Sequence, residues 1–222
     1  ALSVIETVFA AKRHGYAFLG ISDHTRSLGV ANGLDVERLH AQRPEIAEAQ
    51  QQSGIRVFAG AEVEVARDGR LDFDDETLAG LDVVIASTHV GLRQPRDVLT
   101  DRLVTILENR NVDIIAHPSG RLLEQREAGD FDWDRVFATA AKTGTALEIN
   151  ADPARLDLSA DHARQAIEAG CLLTINCDAH HPDSWSLLEY GVANARKAGV
   201  RPDQVLNCWT VHSIEAWLRD RR

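Results

Sequence analysis

VVIASTH, residues 83–89, is an uncharged apolar run that stops at a histidine. Four of its residues are β-branched, and six apolar or hydroxyl residues are too few for a buried helix, so it reads as a strand. The same arrangement recurs on both sides, in FLGISDH (18–24), VFAGAE (57–62), VDIIAH (112–117), TALEIN (145–150) and LLTINCDAH (172–180). From His24 through Glu62, His89, His117 and Asn150 to Asp178 the intervals are 38, 27, 28, 33 and 28 residues. A β/α unit takes roughly 30 residues. Each polar residue therefore closes one strand of a repeating unit, and parallel strands bring their C-terminal ends to one face. Imidazole and carboxylate gathered there form the donor set of a divalent-metal site.

The 222 residues suffice for one sizeable core. Apolar residues make up 44% and charged residues 26%, as in an ordinary globular chain. No apolar run approaches the roughly 18 residues of a membrane span, and no secretory pattern opens the sequence. The expectation is a cytoplasmic protein without membrane contact. Three cysteines, Cys171, Cys177 and Cys208, are an odd count and read as reduced thiols. Cys177 adjoins Asp178, which leaves a metal role for it open. The net charge of −10 excludes bulk attraction to nucleic acid, so a phosphate substrate has to be held by cations and local arginines.

Helices are expected near 2–14, 36–52, 97–110, 131–143, 159–169, 184–198 and 212–220, closed by Gly15, Gly54, Asn111, Gly144, Gly170 and Gly199. Strands are expected near 17–22, 56–65, 82–88, 112–117, 145–150, 171–177 and, weakly, 204–208. Pro44 should split or kink the second helix, and Asp68-Gly69 should turn the chain back after EVEVA. No linker divides the chain, so residues 1–222 are expected to form one domain. The architecture expected is α/β, a distorted (β/α)7 TIM-like barrel, because an open sheet would gather its site at a single switch point. The chain opens on a helical pattern that a barrel places after a strand. It is also shorter than the roughly 250 residues of a typical barrel. The first strand is therefore expected upstream of Ala1, with the domain truncated at its N-terminus.

Taken singly, each site residue has a plainer reading. Asp23-His24 suits a turn as well as a ligand with its orienting carboxylate. A lone histidine at the end of an apolar strand, such as His89 or His117, is more often a hydrogen-bonded core residue. Their shared phase reverses that reading. Glu62 and Glu64 share a face, so one can bind metal while the other lines the pocket. Asp178 and His180 also face one way, whereas His181 points elsewhere. Arg26, Arg93, Arg96, Arg121 and Arg155 lie in loops on the ligand side, where a phosphate grip and a solvated surface residue are both open. Arg26 and Arg121 come first, two and four residues past a ligand histidine. The four tryptophans read as packing between helices.

These motifs resemble the polymerase-and-histidinol-phosphatase (PHP) superfamily, and more narrowly the C-terminal PHP domain of bacterial family-X DNA polymerases. The resemblance rests on SDH (22–24), SLGVANGL (27–34), GAEVE (60–64), DVVIASTH (82–89), HPSGRLL (117–123), LEINA (147–151), RLDL (155–158) and DAHHP (178–182). It implies up to three divalent ions, manganese or zinc. Their ligands would be His24, Glu62, His89, His117, Asp178 and His180, with one ion on Glu62, His89 and His117 together. Glu62, Asp178 and His180 are expected at the catalytic centre, and Arg26 and Arg121, chosen by their place after the histidines, are expected with Asn150 against substrate. The family's His-x-His first motif has no counterpart after Ala1. The implied activity is hydrolysis of phosphoesters at DNA ends, a 3′→5′ exonuclease or 3′-end processing activity in a repair polymerase, with polymerase domains upstream. Two alternatives stay open: a free-standing phosphatase of histidinol-phosphatase type, and a non-catalytic metal-binding module.

Overall fold

The computed structural model describes residues 3–28 and 32–221. Leu2, and residues 29–31 of the SLGVANGL stretch, lie outside the described residues. Helix α1 (Val4–Arg13) begins at Ser3, whose hydroxyl accepts from the Glu6 N–H while the Glu6 carboxylate accepts from the Ser3 N–H. Then follow β1 (Phe18–His24), α2 (Val36–Ser53), β2 (Arg56–Glu64), α3 (Asp75–Ala79), β3 (Val83–Ser87), α4 (Arg96–Leu107) and β4 (Ile114–Ile115). The chain continues through α5 (Trp133–Thr143), β5 (Ala146–Asn150), α6 (Ala160–Glu168), β6 (Leu173–Asn176), α7 (Leu188–Ala198) and α8 (Val211–Arg221). Asp35, Asp74, Asp132 and Ser159 start α2, α3, α5 and α6 by accepting the N–H three residues on. Gly54 and Gly144 end α2 and α5 at φ of 77° and 70°, a region that costs other residues about a kilocalorie per mole or more.

All six strands are parallel and lie in chain order from β1 to β6, as in a barrel. The period of two sorts their side chains. Val57, Ala61 and Val63 of β2, Val84 and Ala86 of β3, and Leu147 and Ile149 of β5 face outward into the layer under the helices, with Leu99, Leu103, Leu107 and Phe137. Burying each large aliphatic side chain there contributes roughly 1.5–3 kcal/mol. On the inner face Phe58, Val83, Ile114 and Ala146 form an apolar base, which Ile214 and Leu218 of α8 close from below. Two or more positions further along the same inner face stand Glu62, Glu64, Glu148 and Asn150, all buried. The inner face is thus oily at the bottom and ionisable at the mouth.

Several expectations need correction. Pro44 does not split α2, which runs through it from Val36 to Ser53. Asn111 does not take the left-handed conformation; its amide donates to Asp75 Oδ1 at 3.1 Å instead. The short α3 was not foreseen, and residues 182–187 form a 3-10 turn, so that α7 starts only at Leu188. The weak strand at 204–208 reduces to a single parallel bridge between Leu173 and Val205, followed by a 3-10 turn over Leu206–Cys208. There the Asn207 side chain replaces a backbone partner. Its amide oxygen accepts from the Ile175 N–H at 2.7 Å and its nitrogen donates to the Ile175 carbonyl at 2.9 Å. The turn at Asp68-Gly69 does send the chain back, with Val65 bridged antiparallel to Leu71. The tryptophans pack as expected: Trp133 on the outer core, Trp209 and Trp217 at the base, and Trp185 against Cys177. No helix among the described residues is long and apolar enough to cross a membrane.

Candidate metal centre

Strand register builds the centre. β1 and β2 pair with His24 directly opposite Glu62, and His24 Nδ1 lies 3.4 Å from Glu62 Oε2. His117, two residues beyond β4, brings Nε2 to 3.3 Å from Glu62 Oε1. His89, two residues beyond β3, brings Nε2 to 3.8 Å from the same oxygen. One donor atom each from Glu62, His89 and His117 fall within 4.8 Å of one another. Two ligands about 2.1 Å from one tetrahedral ion stand roughly 3.4 Å apart, so these separations suit a shared divalent cation.

Unsatisfied atoms point the same way. Glu62 Oε1 and both ring nitrogens of His117 are buried without a hydrogen-bond partner. Desolvating such groups costs on the order of 1–3 kcal/mol each. Glu62 Oε1 and the His117 Nε2 that faces it at 3.3 Å, buried and without a hydrogen-bond partner, suit a metal ion between them. Cys177 does not belong to this cluster; burial pushes its thiol up to about 11.

The ligands are held from behind. Glu64, on the same inner face as Glu62, accepts from the His89 backbone N–H at 3.2 Å and lies 2.6 Å from His89 Nδ1, which turns Nε2 toward Glu62. His117 has a φ of 31°, an uncommon conformation for a side chain of its size, costing about 1–3 kcal/mol. The Glu148 carboxylate holds it there, accepting from the His117 N–H at 2.7 Å. Asn150 and Asn176 donate to Glu148 at 3.2 and 2.8 Å. Buried Asp157 accepts from the N–H groups of Ser119 and Gly120, which fixes the loop after His117.

The electrostatics follow from burial and neighbours. Burial alone would raise Glu62, but His117, with His24 and His89 beside it, draws its carboxyl down to about 2. Burial works against a charged His117 as well, and the Glu62 carboxylate outweighs it, so that pKa is raised. Burial lifts Glu148 to about 7, only partly offset by His117 and Asn176. Burial likewise raises Asp157.

The remaining expected residues arrange themselves around this core. The His180 ring stacks 5.7 Å from that of His24 at the exposed rim, and its Nδ1 is 3.5 Å from Asp178 Oδ1. All six expected ligands therefore form one chain of contacts or near neighbours. Asp23 does not orient His24; its Oδ2 accepts from Gln42 at 2.6 Å. Asn150 is fully buried and bonded to Glu148. Arg121 turns inward, its Nε donating to the Arg155 carbonyl at 2.8 Å and an Nη to Leu156. Arg26 is exposed. Glu62, His117, Asn150, Asp178 and His180 line an open cleft of about 980 Å³, and none of the five arginines named from the sequence lines it. Glu148, Asn176 and Asp157 were missed. Glu148 was legible in TALEIN, since it shares the phase of Asn150 in an otherwise apolar strand.

No family model matches the chain. Over 220 residues it is 43% identical to the DNA polymerase/3′-5′ exonuclease PolX of Bacillus subtilis, covering 99% of this chain but only 39% of that protein. It is 30% identical to a probable phosphatase of Syntrophotalea carbinolica, covering 93% of this chain and 86% of that protein. Its fold is similar to the crystal structure of a histidinol phosphate phosphatase from Lactococcus lactis, complexed with zinc, L-histidinol and phosphate. That match has a TM-score of 0.59 and 17% identity, and covers 87% of this chain and 86% of the other. With its histidine and carboxylate side chains gathered at the strand ends and these relatives matching nearly its whole length, the chain belongs to the polymerase-and-histidinol-phosphatase superfamily of metal-dependent phosphoesterases.

Proposed function

We propose that the chain hydrolyses phosphoesters at DNA ends, as the 3′→5′ exonuclease or 3′-end-processing module of a family-X repair polymerase. The observation that carries the hydrolytic part is the convergence of Glu62, His89 and His117, with donor atoms of Glu62 and His117 unpaired, beside a cleft that Glu62 and His117 line. The 43% identity to a polymerase with exonuclease activity favours DNA as substrate. In this reading residues 1–222 act as one domain, with DNA as partner, polymerase domains upstream and a cytoplasmic setting that agrees with three free cysteines.

Glu62, His89 and His117 would hold one divalent ion, manganese or zinc. His24, Asp178 and His180 extend the ligand set to further ions, so that Glu62, Asp178 and His180 belong to the catalytic centre. When bound, such ions neutralise phosphoryl charge and activate water. The chain's own residues do the positioning. Glu64 orients His89, Glu148 holds the backbone of His117, and Asn150 steadies Glu148. Arg26 and Arg121 were the sequence's choice for substrate. Arg26 is exposed and does not line the cleft, and two of Arg121's nitrogens are already engaged by backbone carbonyls.

A small-molecule phosphatase is the second reading, favoured by the 86% of the S. carbinolica protein that the chain spans. Turnover of a 3′-recessed duplex and of small phosphomonoesters, measured side by side with manganese or zinc, separates the two. Shortening of the duplex is the expected result. Hydrolysis of the small esters alone would overturn the DNA reading.

A further inference from the structure

We infer that Arg38, on the first turn of α2, binds the phosphate group of the substrate. The inference rests on the phosphoesterase reading above and adds to it a residue outside the strand-end loops. Among the described residues that line the cleft, Arg38 is the single arginine or lysine, against the carboxylates of Asp23, Glu62, Glu148 and Asp178. A phosphate entering this cleft meets four acids. Metal ions offset those that ligate them, and Arg38 supplies the one fixed side-chain cation.

Its guanidinium is half-committed in a way that suits the task. Nη1 donates to the carbonyls of Asn32 and Gly33 at 3.2 and 3.1 Å. Nε and Nη2 have no partner among the described residues, which leaves the side-on edge that grips two oxygens of one phosphate.

The anchor is tied to the metal centre. The Leu34 N–H donates to the His24 carbonyl at 2.7 Å. Gly33 sits so close to the Thr25 carbonyl that a Cβ there would lie 2.0 Å from its oxygen. Arg38 therefore hangs from backbone that is itself bonded to His24, and His24 touches Glu62. An arginine that was only solvated would need neither the two-carbonyl anchor nor a place in the cleft. Arg121 shows the contrast, with two of its nitrogens turned into the protein.

The test uses the metal-loaded chain and inorganic phosphate, with binding measured by calorimetry and metal content by mass spectrometry. Arg38→Ala should weaken phosphate by roughly 10- to 100-fold, the range of a charge-assisted hydrogen-bond pair. Metal content should equal that of wild type. Arg38→Lys should recover only part of the affinity, because an ammonium lacks the two-pronged edge. Arg110→Ala, outside the cleft, should leave affinity unchanged. On a cleavable phosphoester the loss should fall more on KM than on kcat. Arg38→Gln, which keeps helix propensity, is measured alongside in case the alanine variant is poorly folded. Phosphate affinity within twofold of wild type in either folded variant overturns the assignment while leaving the phosphoesterase reading standing. A wild-type chain that binds no phosphate and cleaves no phosphoester overturns both.

Discussion

Glu64 Oε2 lies 2.6 Å from His89 Nδ1, and its other oxygen accepts the His89 backbone N–H at 3.2 Å. One carboxylate thus fixes both the position of the residue and the face its ring presents. The relationship arises from sheet geometry. Glu62 and Glu64 point inward from β2, and β3 runs beside them with Glu64 opposite Ser87, two residues before His89. The inward pair divides its labour, Glu62 toward the ion site and Glu64 toward the histidine that completes it.

Replacing Glu64 by Gln should therefore lower metal affinity without removing the site. A glutamine has one accepting oxygen for two N–H groups, so either the ring tautomer or the backbone of His89 is released. Loss of such an orienting partner costs 10- to 100-fold in affinity. Competition against a metal-sensitive chelator measures it. Wild-type affinity in the variant would show that His89 is oriented by packing alone.

Glu62→Ala should remove the ion altogether. Glu62 is the residue that all three neighbouring histidines touch, at 3.3 to 3.8 Å, and among the described residues no other carboxylate joins His89 and His117 in the cluster. Elemental analysis of the purified variant should find the ion held by Glu62, His89 and His117 gone. Unchanged metal content would contradict the assignment of Glu62 as the common ligand.

Much of this centre was legible in the sequence because strands alternate and end. An inner-face residue at a strand's C-terminus is placed by counting, and Glu62 and Asn150 were found that way, with His89 and His117 just beyond the strand ends. What could not be counted lies in relationships between elements. Asp157 meets Ser119 and Gly120 across 38 and 37 residues of sequence. Arg38 reaches the cleft from a helix, outside the periodicity that located the strand ends. The seventh strand read from VLNC fails because Asn207 bonds the β6 edge with its side chain, an option that apolar patterning does not encode.

Gly60→Ala tests how closely β2 and β3 must approach. Gly60 pairs with Val83 in the β2–β3 ladder, and a Cβ at position 60 would lie 2.5 Å from the Val83 carbonyl oxygen. That neighbour is backbone and cannot swing away. The methyl group should spread the ladder one inward position before Glu62 and cost about 1–3 kcal/mol of stability. Urea unfolding measures the loss, and metal affinity should fall with it. A variant as stable as wild type would mean that the β2–β3 ladder accommodates the methyl group without spreading.

The three cysteines should differ sharply toward a thiol reagent. Cys171 and Cys177 are buried, and burial raises their thiols to about 12 and about 11. The reactive thiolate is then nearly absent at pH 8. Cys208 is exposed. Native protein at pH 8 should therefore consume one equivalent of an aromatic disulfide reagent promptly, and denatured protein three. Because Cys177 precedes Asp178, its protection also reports on the end of β6. Fast labelling of Cys177 in the native state would show that this strand end opens readily, and with it the part of the site that Asp178 and His180 supply.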